Sequence, residues 1–195
     1  MDYKDKIFTL LMLTKRDGIE ELLEYMDKAG FYSAPASTKY HGAEAGKLAE
    51  HSYNVYKCAI AIAKALQGEE WLNEEGNIES ITIAALLHDL GKVGQFNKAL
   101  YVPNILKTGQ SKAQPFKKND DLITLDHEVV SVILASKFIE LTDEEQFAIA
   151  YHNGLYTPIG KFNLAGKERP LQMIIHFADL WASRVIEVDS VNVED

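Results

Sequence analysis

The sequence predicts an all-α helical bundle, and three observations carry that expectation. Apolar residues recur at spacings of three and four along most of the chain, as they do on helices with one buried face. No long stretch alternates apolar and polar residues as a half-buried strand would. Helix punctuation is abundant. Gly30, Gly68, Gly91 and Gly154 follow periodic runs, Thr142-x-x-Glu145 is a capping box, and Pro170 stands where a helix can open.

In chain order, residues 3–16 and 18–29 read as two short helices, and 31–45 (FYSAPASTKYHGAEA) as a loop rich in Ser, Pro, Ala and Gly. Residues 46–67 form a long helix. Residues 78–89 (IESITIAALLHD) are apolar nearly all round and read as a buried helix rather than a strand, because alanine and leucine dominate. The stretch 92–124 is the least regular, and short strands remain an open alternative there; a connection of that length is usually functional or mobile. Helices follow at 126–140 and from Thr142 to Asn153–Gly154, then a loop over 155–168 and a last helix over 170–188. No repeat, low-complexity tract or interdomain linker is visible. The prediction is one domain over 1–195, with short N-terminal helices at 3–29 and the chemistry-bearing part at about 31–188.

Composition narrows the function classes. Of 195 residues, 47% are apolar and 25% charged, enough to bury a core without disulfides. Cys58 is the one cysteine, so no intrachain disulfide framework exists, and a cytoplasmic location is expected. The apolar run Ile7–Leu13 is too short for a membrane span and lies between charged residues, so no membrane partner is expected. A net charge of −9 argues against a long nucleic-acid partner. Yet residues 90–119 hold no Asp or Glu and six lysines, Lys92, Lys98, Lys107, Lys112, Lys117 and Lys118. That segment is either a solvated loop or a recruiter of phosphate.

Several inward-facing polar residues point to a shared centre. His88-Asp89 closes the apolar 78–89 segment, where a carboxylate is costly unless paired or bound to metal. His51 extends the stripe Val55, Cys58, Ile62, Leu66; His127 shares a face with Val130, Leu134 and Phe138; His152 shares one with Ala148. Asp179 lies in MIIHFADLWA, where His176 is the one other polar group. A lone inward histidine is usually a core histidine, and a His176–Asp179 hydrogen bond is the plain alternative for that pair. Five such sites on five helices are satisfied together by one metal centre. Imidazole and carboxylate ligands suit Mn, Fe, Co, Ni or Zn rather than an all-oxygen Ca or Mg cage.

The order His51 … His88-Asp89 … His127 … His152 … Asp179 resembles the H…HD…H…H…D signature of the HD superfamily of metal-dependent phosphohydrolases, and HDLGK (His88–Lys92) resembles its central motif. APASTKYHGAEAGKLAEHS (Ala34–Ser52), LDHEVVSV, LTDEEQFAIAYHNG and HFADLWA are similar to a bacterial and phage branch that includes relatives of exoribonuclease-type HD proteins. Two departures stand out: Tyr40-His41-Gly42 where that branch often has Tyr-His-His, and Gly46-Lys47-Leu48 where it often has Gly-Gly-Leu.

The resemblance implies an HD-type helical bundle with one or two divalent metals, more readily two. His51, His88, Asp89 and Asp179 would hold one, and Asp89, His127 and His152 the other. It implies attack on phosphorus by a metal-activated hydroxide, with Asp89 and Lys92 in catalytic roles and His41, Lys92 and Tyr156 touching substrate. The alternative for Lys92 is a helix-terminal lysine favoured by the macrodipole, and for His41 an exposed loop histidine. Tyr156 and Lys161 are placed to cover the site from the 155–168 loop. Three functions compete: hydrolysis of a phosphomonoester or phosphodiester, first of a nucleotide; a non-catalytic metal- or nucleotide-binding module; and a short 3′–5′ exoribonuclease-like enzyme. Six intact candidate ligands favour catalysis, and the net charge favours a small phosphorylated substrate.

Overall fold

A computed structural model describes residues 2–39, 42–123 and 125–188. Nine α-helices are present among them: α1 (Tyr3–Leu13), α2 (Ile19–Lys28), α3 (Lys47–Gln67), α4 (Glu69–Asn73), α5 (Asn77–Leu87), α6 (His127–Ala135), α7 (Asp143–Ala150), α8 (Pro158–Asn163) and α9 (Pro170–Trp181). Short 3₁₀ turns cover Leu90–Val93 and Gly154–Tyr156, and α9 runs on into a π-helical turn, Ala182–Ile186. The fold is the helical one of the sequence reading. No helix of the described residues is long and apolar enough to cross a membrane.

The centre of the bundle is α5. Every residue from Ile81 to Leu87 is buried, as an all-round apolar helix must be. Helix α3 packs against both α5 and α9, and α7 packs against α5, α6 and α9. Ile7 and Leu11 of α1 with Leu22 and Met26 of α2 close the base of the core. Arg16, between α1 and α2, ties that base to the bundle. Its guanidinium donates to both oxygens of buried Glu145 at 2.7 and 2.9 Å, to Glu79, and to the Glu140 carbonyl. Glu145 is also the acidic half of the Thr142 capping box.

Boundaries depart from the sequence reading where side chains outweigh propensity. The buried helix stops at Leu87, with His88 as its C-cap and Asp89 outside it. The 126–140 helix ends at Ala135, the 142–154 helix at Ala150, and the 155–168 loop contains α8, capped by the Thr157 hydroxyl. The 170–188 helix is regular only to Trp181. Along α3 the predicted stripe is buried at Val55 and Cys58, but Leu66 is 67% exposed. Helix α4, five residues long, begins directly after Gly68 in a stretch to which the sequence reading assigns no element.

Residues 94–123 form the alternative left open: a small β arm. Strands β1 (Tyr101–Pro103) and β4 (Phe116–Lys118) pair antiparallel, with Tyr101 opposite Lys118. Between them β2 (Ile105–Leu106) and β3 (Gly109–Gln110) form a hairpin. The Phe116 N–H donates to the Thr38 carbonyl, which fastens the arm beside the loop that leads into α3.

Candidate metal centre

The chain turns sharply after α5 and so aims two side chains at one point. His88 keeps helical angles, whereas Asp89 has φ −105° and ψ 12°, in the sparsely used region between helix and strand. Both are buried, at 0% and 1% exposure. The 3₁₀ turn that follows is pressed against α6 at Gly91. A Cβ there would lie 2.2 Å from the His127 carbonyl oxygen and 2.9 Å from the Ser131 amide nitrogen. Only glycine permits this approach, and the Gly91 N–H donates to Ser131 Oγ at 2.8 Å. His127, the first residue of α6, is thereby set against Asp89. His152 lies just past the end of α7, not in its last turn. The His176 Nδ1–H donates to the His152 carbonyl at 2.6 Å, over a glycine (Gly154, φ 54°) whose Cβ would strike the His176 ring. That bond engages His176 Nδ1 away from Asp179, in place of the plain alternative of a His176–Asp179 hydrogen bond.

The six residues meet around the Asp89 carboxylate. Oδ2 stands 3.4 Å from His88 Nε2 and 3.5 Å from His51 Nε2; Oδ1 stands 3.2 Å from His127 Nε2 and 3.6 Å from His152 Nε2. Asp179 Oδ1 is 3.2 Å from His51 Nε2, which is itself 3.3 Å from His88 Nε2. The Lys92 ammonium donates to Asp89 Oδ2 at 2.6 Å.

Neighbours on the far side of each ring decide the tautomers. His88 Nδ1–H donates to the Ala85 carbonyl and His152 Nδ1–H to that of Ile149, both at 2.8 Å. His51 Nδ1 faces Glu187 Oε2 at 3.0 Å, and His127 Nδ1 faces Glu128 Oε2 at 3.1 Å. Each Nδ1 therefore carries a proton, and each Nε2 faces inward, with a lone pair wherever the ring is neutral. With all four rings neutral, as metal ligation requires, four lone pairs and two carboxylates would converge, acceptor against acceptor. The Asn153 amide meets His152 Nε2 at 3.0 Å, but buried Asp89 Oδ1 has no hydrogen-bond partner. Such an arrangement is repulsive unless a cation sits within it. The donor set fits a divalent transition metal, and two groups, His51–His88–Asp179 and His88–Asp89–His152, bring their ligand atoms close enough to hold one.

The titration behaviour reports the same demand for positive charge. Burial pushes the His51 imidazole down, but hydrogen bonds to Asp179 and Glu187 outweigh it and lift the pKa to about 10. Burial pushes Asp89 up, yet Lys92 and His88 hold it well below the ordinary carboxylate range. Burial would also lower the Lys92 ammonium, and adjacent Asp89 reverses that. His152 is pushed down to about 3, by burial first and then by His88, so its imidazole is neutral and ready to ligate.

Beside the cluster opens a cleft of about 240 Å³ whose walls include His51, Lys92, Asn153, Tyr156, Asp179 and Arg184. Tyr156, expected to touch substrate, is 73% exposed at its edge. Lys161 lies on α8. His41, with Tyr40, lies outside the described residues.

Sequence reasoning missed the carboxylates behind the rings. Glu187 accepts from His51 Nδ1 and, at Oε1, from Asn54 Nδ2 at 3.0 Å. Glu128 accepts at Oε1 from Asn153 Nδ2 at 2.7 Å. A signal for the second existed, since Glu128 and Asn153 directly follow His127 and His152.

No curated protein and no solved structure matches the chain. The family model of the HD domain matches residues 48–180, from the start of α3 to the end of α9, and so spans the whole cluster from His51 to Asp179. With that match over more than half its length, and with the His-Asp pair at the heart of its buried cluster, the chain belongs to the HD domain family.

Proposed function

We infer that the chain is a metal-dependent phosphohydrolase, in which His51, His88, Asp89, His127, His152 and Asp179 hold divalent transition metal. The observation that carries this reading is the meeting of four inward Nε2 atoms around the buried Asp89 carboxylate, whose Oδ1 has no hydrogen-bond partner. Asp89 divides the set: Oδ2 faces His51 and His88, and Oδ1 faces His127 and His152. That division supports two ions, with Asp89 between them and Asp179 completing the His51 side.

Bound metal supplies Lewis acidity and lowers the pKa of water. The chain's own residues do the rest. Glu187 and Glu128 fix the His51 and His127 rings, as carboxylates behind metal-binding imidazoles do. Lys92 keeps its proton beside Asp89 and presents N–H donors on the cleft wall, where charge on phosphoryl oxygens would grow. The Tyr156 hydroxyl adds a donor at the same opening. We assign Asp89 and Lys92 to catalysis, and Lys92 and Tyr156 to substrate contact, with His41 a further candidate. The small cleft supports a small phosphorylated metabolite, nucleotides first, over long nucleic acid. The likeness of the motif segments supports the bacterial and phage branch, and the single cysteine favours the cytoplasm.

The test is metal content by mass spectrometry, together with turnover of mono- and diesters in Mn, Co, Fe and Ni. Asp89→Asn should lose metal and turnover together, and Asp179→Asn should deplete mainly one site. Full metal content and turnover in Asp89→Asn would refute the assignment.

A further inference from the structure

The π-helical turn Ala182–Ile186 bears on the site in two ways. It delivers Glu187 to His51 and Asn54, and it sets Arg184 on the wall of the cleft that contains His51, Asp179 and Lys92. π-turns recur at functional sites. The Arg184 side chain makes no hydrogen bond, ion pair or ring contact with any described residue. The acid three residues on, Glu187, is already engaged by His51 and Asn54. Arg184 is thus a cation at the opening, opposite no described carboxylate partner, on a turn anchored to the metal cluster.

A guanidinium forks onto two oxygens of one phosphoryl group, and an ammonium adds a third contact as a point charge. A monoester offers three non-bridging oxygens and two negative charges; a diester offers two and one. The cleft, about 240 Å³, is below the usual range for drug-sized ligands, and it has room for a phosphoryl group with a short part of its leaving group.

We propose that Arg184 is the specificity residue of the site, holding with Lys92 the phosphoryl oxygens of a phosphomonoester. The proposal rests on the phosphohydrolase reading and narrows it from two ester classes to one. It assigns Arg184 to binding, so its loss should appear in KM and in affinity for inorganic phosphate rather than in kcat.

The experiment compares wild type, Arg184→Ala and Arg184→Lys, all loaded with Mn. Inorganic phosphate binding is read by calorimetry, and 4-nitrophenyl phosphate and bis(4-nitrophenyl) phosphate are the substrates. Wild type should favour the monoester. Arg184→Ala should weaken phosphate binding and raise the monoester KM by about tenfold each, the size of one lost charged hydrogen bond, with kcat and metal content little changed. Arg184→Lys should recover part of both. Unchanged phosphate affinity in Arg184→Ala overturns the proposal, as does a preference for the diester. Loss of metal in Arg184→Ala also overturns it, because the residue would then be structural. If wild type cleaves neither ester, the phosphohydrolase reading fails, and phosphate calorimetry still decides whether Arg184 binds the anion.

Discussion

Replacing Glu187 by glutamine tests whether the carboxylate behind His51 governs metal binding. Its Oε2 and Oε1 stand 3.0 and 3.2 Å from His51 Nδ1, and Oε1 also accepts from Asn54 at 3.0 Å. A glutamine has one oxygen for these two donors, and its NH₂ must face the other, donor against donor. It also removes the charge that makes the imidazole a stronger base. Partners of this kind typically contribute about 10- to 100-fold to metal affinity, or roughly 1.4 to 2.8 kcal/mol at 1.4 per tenfold. We expect Glu187→Gln to lose affinity within that range, and Asn54→Ala, which leaves the carboxylate in place, to lose less. Competition against a chromophoric chelator measures the affinity, and thermal unfolding without metal checks that the variant folds. A folded Glu187→Gln with wild-type affinity would show that His51 needs no such partner, and the argument for an oriented ligand shell would fall.

Two further outcomes follow from the same framework. Gly91→Ala puts a Cβ 2.2 Å from the His127 carbonyl oxygen; α6 must retreat, at about 1–3 kcal/mol for overpacking, and metal on the His127 side should be lost before metal on the His51 side. Unchanged melting temperature and stoichiometry would contradict it. Acid should weaken the Arg16–Glu145 clamp. Burial raises the Glu145 pKa, but hydrogen bonds from Arg16, Ser80 and the Thr142 amide outweigh it and hold the group below its ordinary value. A folded-state pKa below the unfolded one gives stability that is full above about pH 5 and is lost as pH falls through the folded value. Arg16→Ala strands that carboxylate at a cost of about 3 kcal/mol near neutrality, and the gap to wild type should narrow in acid. Denaturant titrations from pH 7 to pH 3 measure this, and a gap constant across the range would refute it.

How much of this was legible in the sequence depends on the distance over which each signal acts. The helices and the six candidate ligands were visible because burial imposes a spacing of three and four on neighbours along one element. His51 on the stripe of Val55 and Cys58, and Asp179 in an apolar window, are polar residues placed where polar residues are costly. Element ends were less legible. The buried helix carries apolar residues to its last turn, yet it stops at Leu87 because Asp89 must leave helical angles to face four rings. The β arm is legible only as an open alternative, because its strands are two or three residues long, too short to establish an alternation.

Glu187 shows why the remainder could not be read. It stands eight residues after Asp179, and on a regular helix of 3.6 residues per turn it would lie about 80° away from it. The π-helical turn closes its hydrogen-bonded rings one residue later and takes back much of that rotation. Asp179 and Glu187 thereby reach the same imidazole from opposite sides, one at Nε2 and one at Nδ1. A pattern search that assumes helical spacing separates these two acids. The π turn thus absorbs one extra residue: deleting one from Ala182–Ile186 would set the acid seven positions after Asp179, about 20° short of two full turns on a regular helix, and should keep it facing His51. Inserting one alanine there instead adds about 100° of rotation and should uncouple Glu187 from His51, keeping the α3–α9 packing while losing metal affinity to the same degree as Glu187→Gln. An insertion that left affinity intact would mean that the register set by the π turn is incidental to the metal centre.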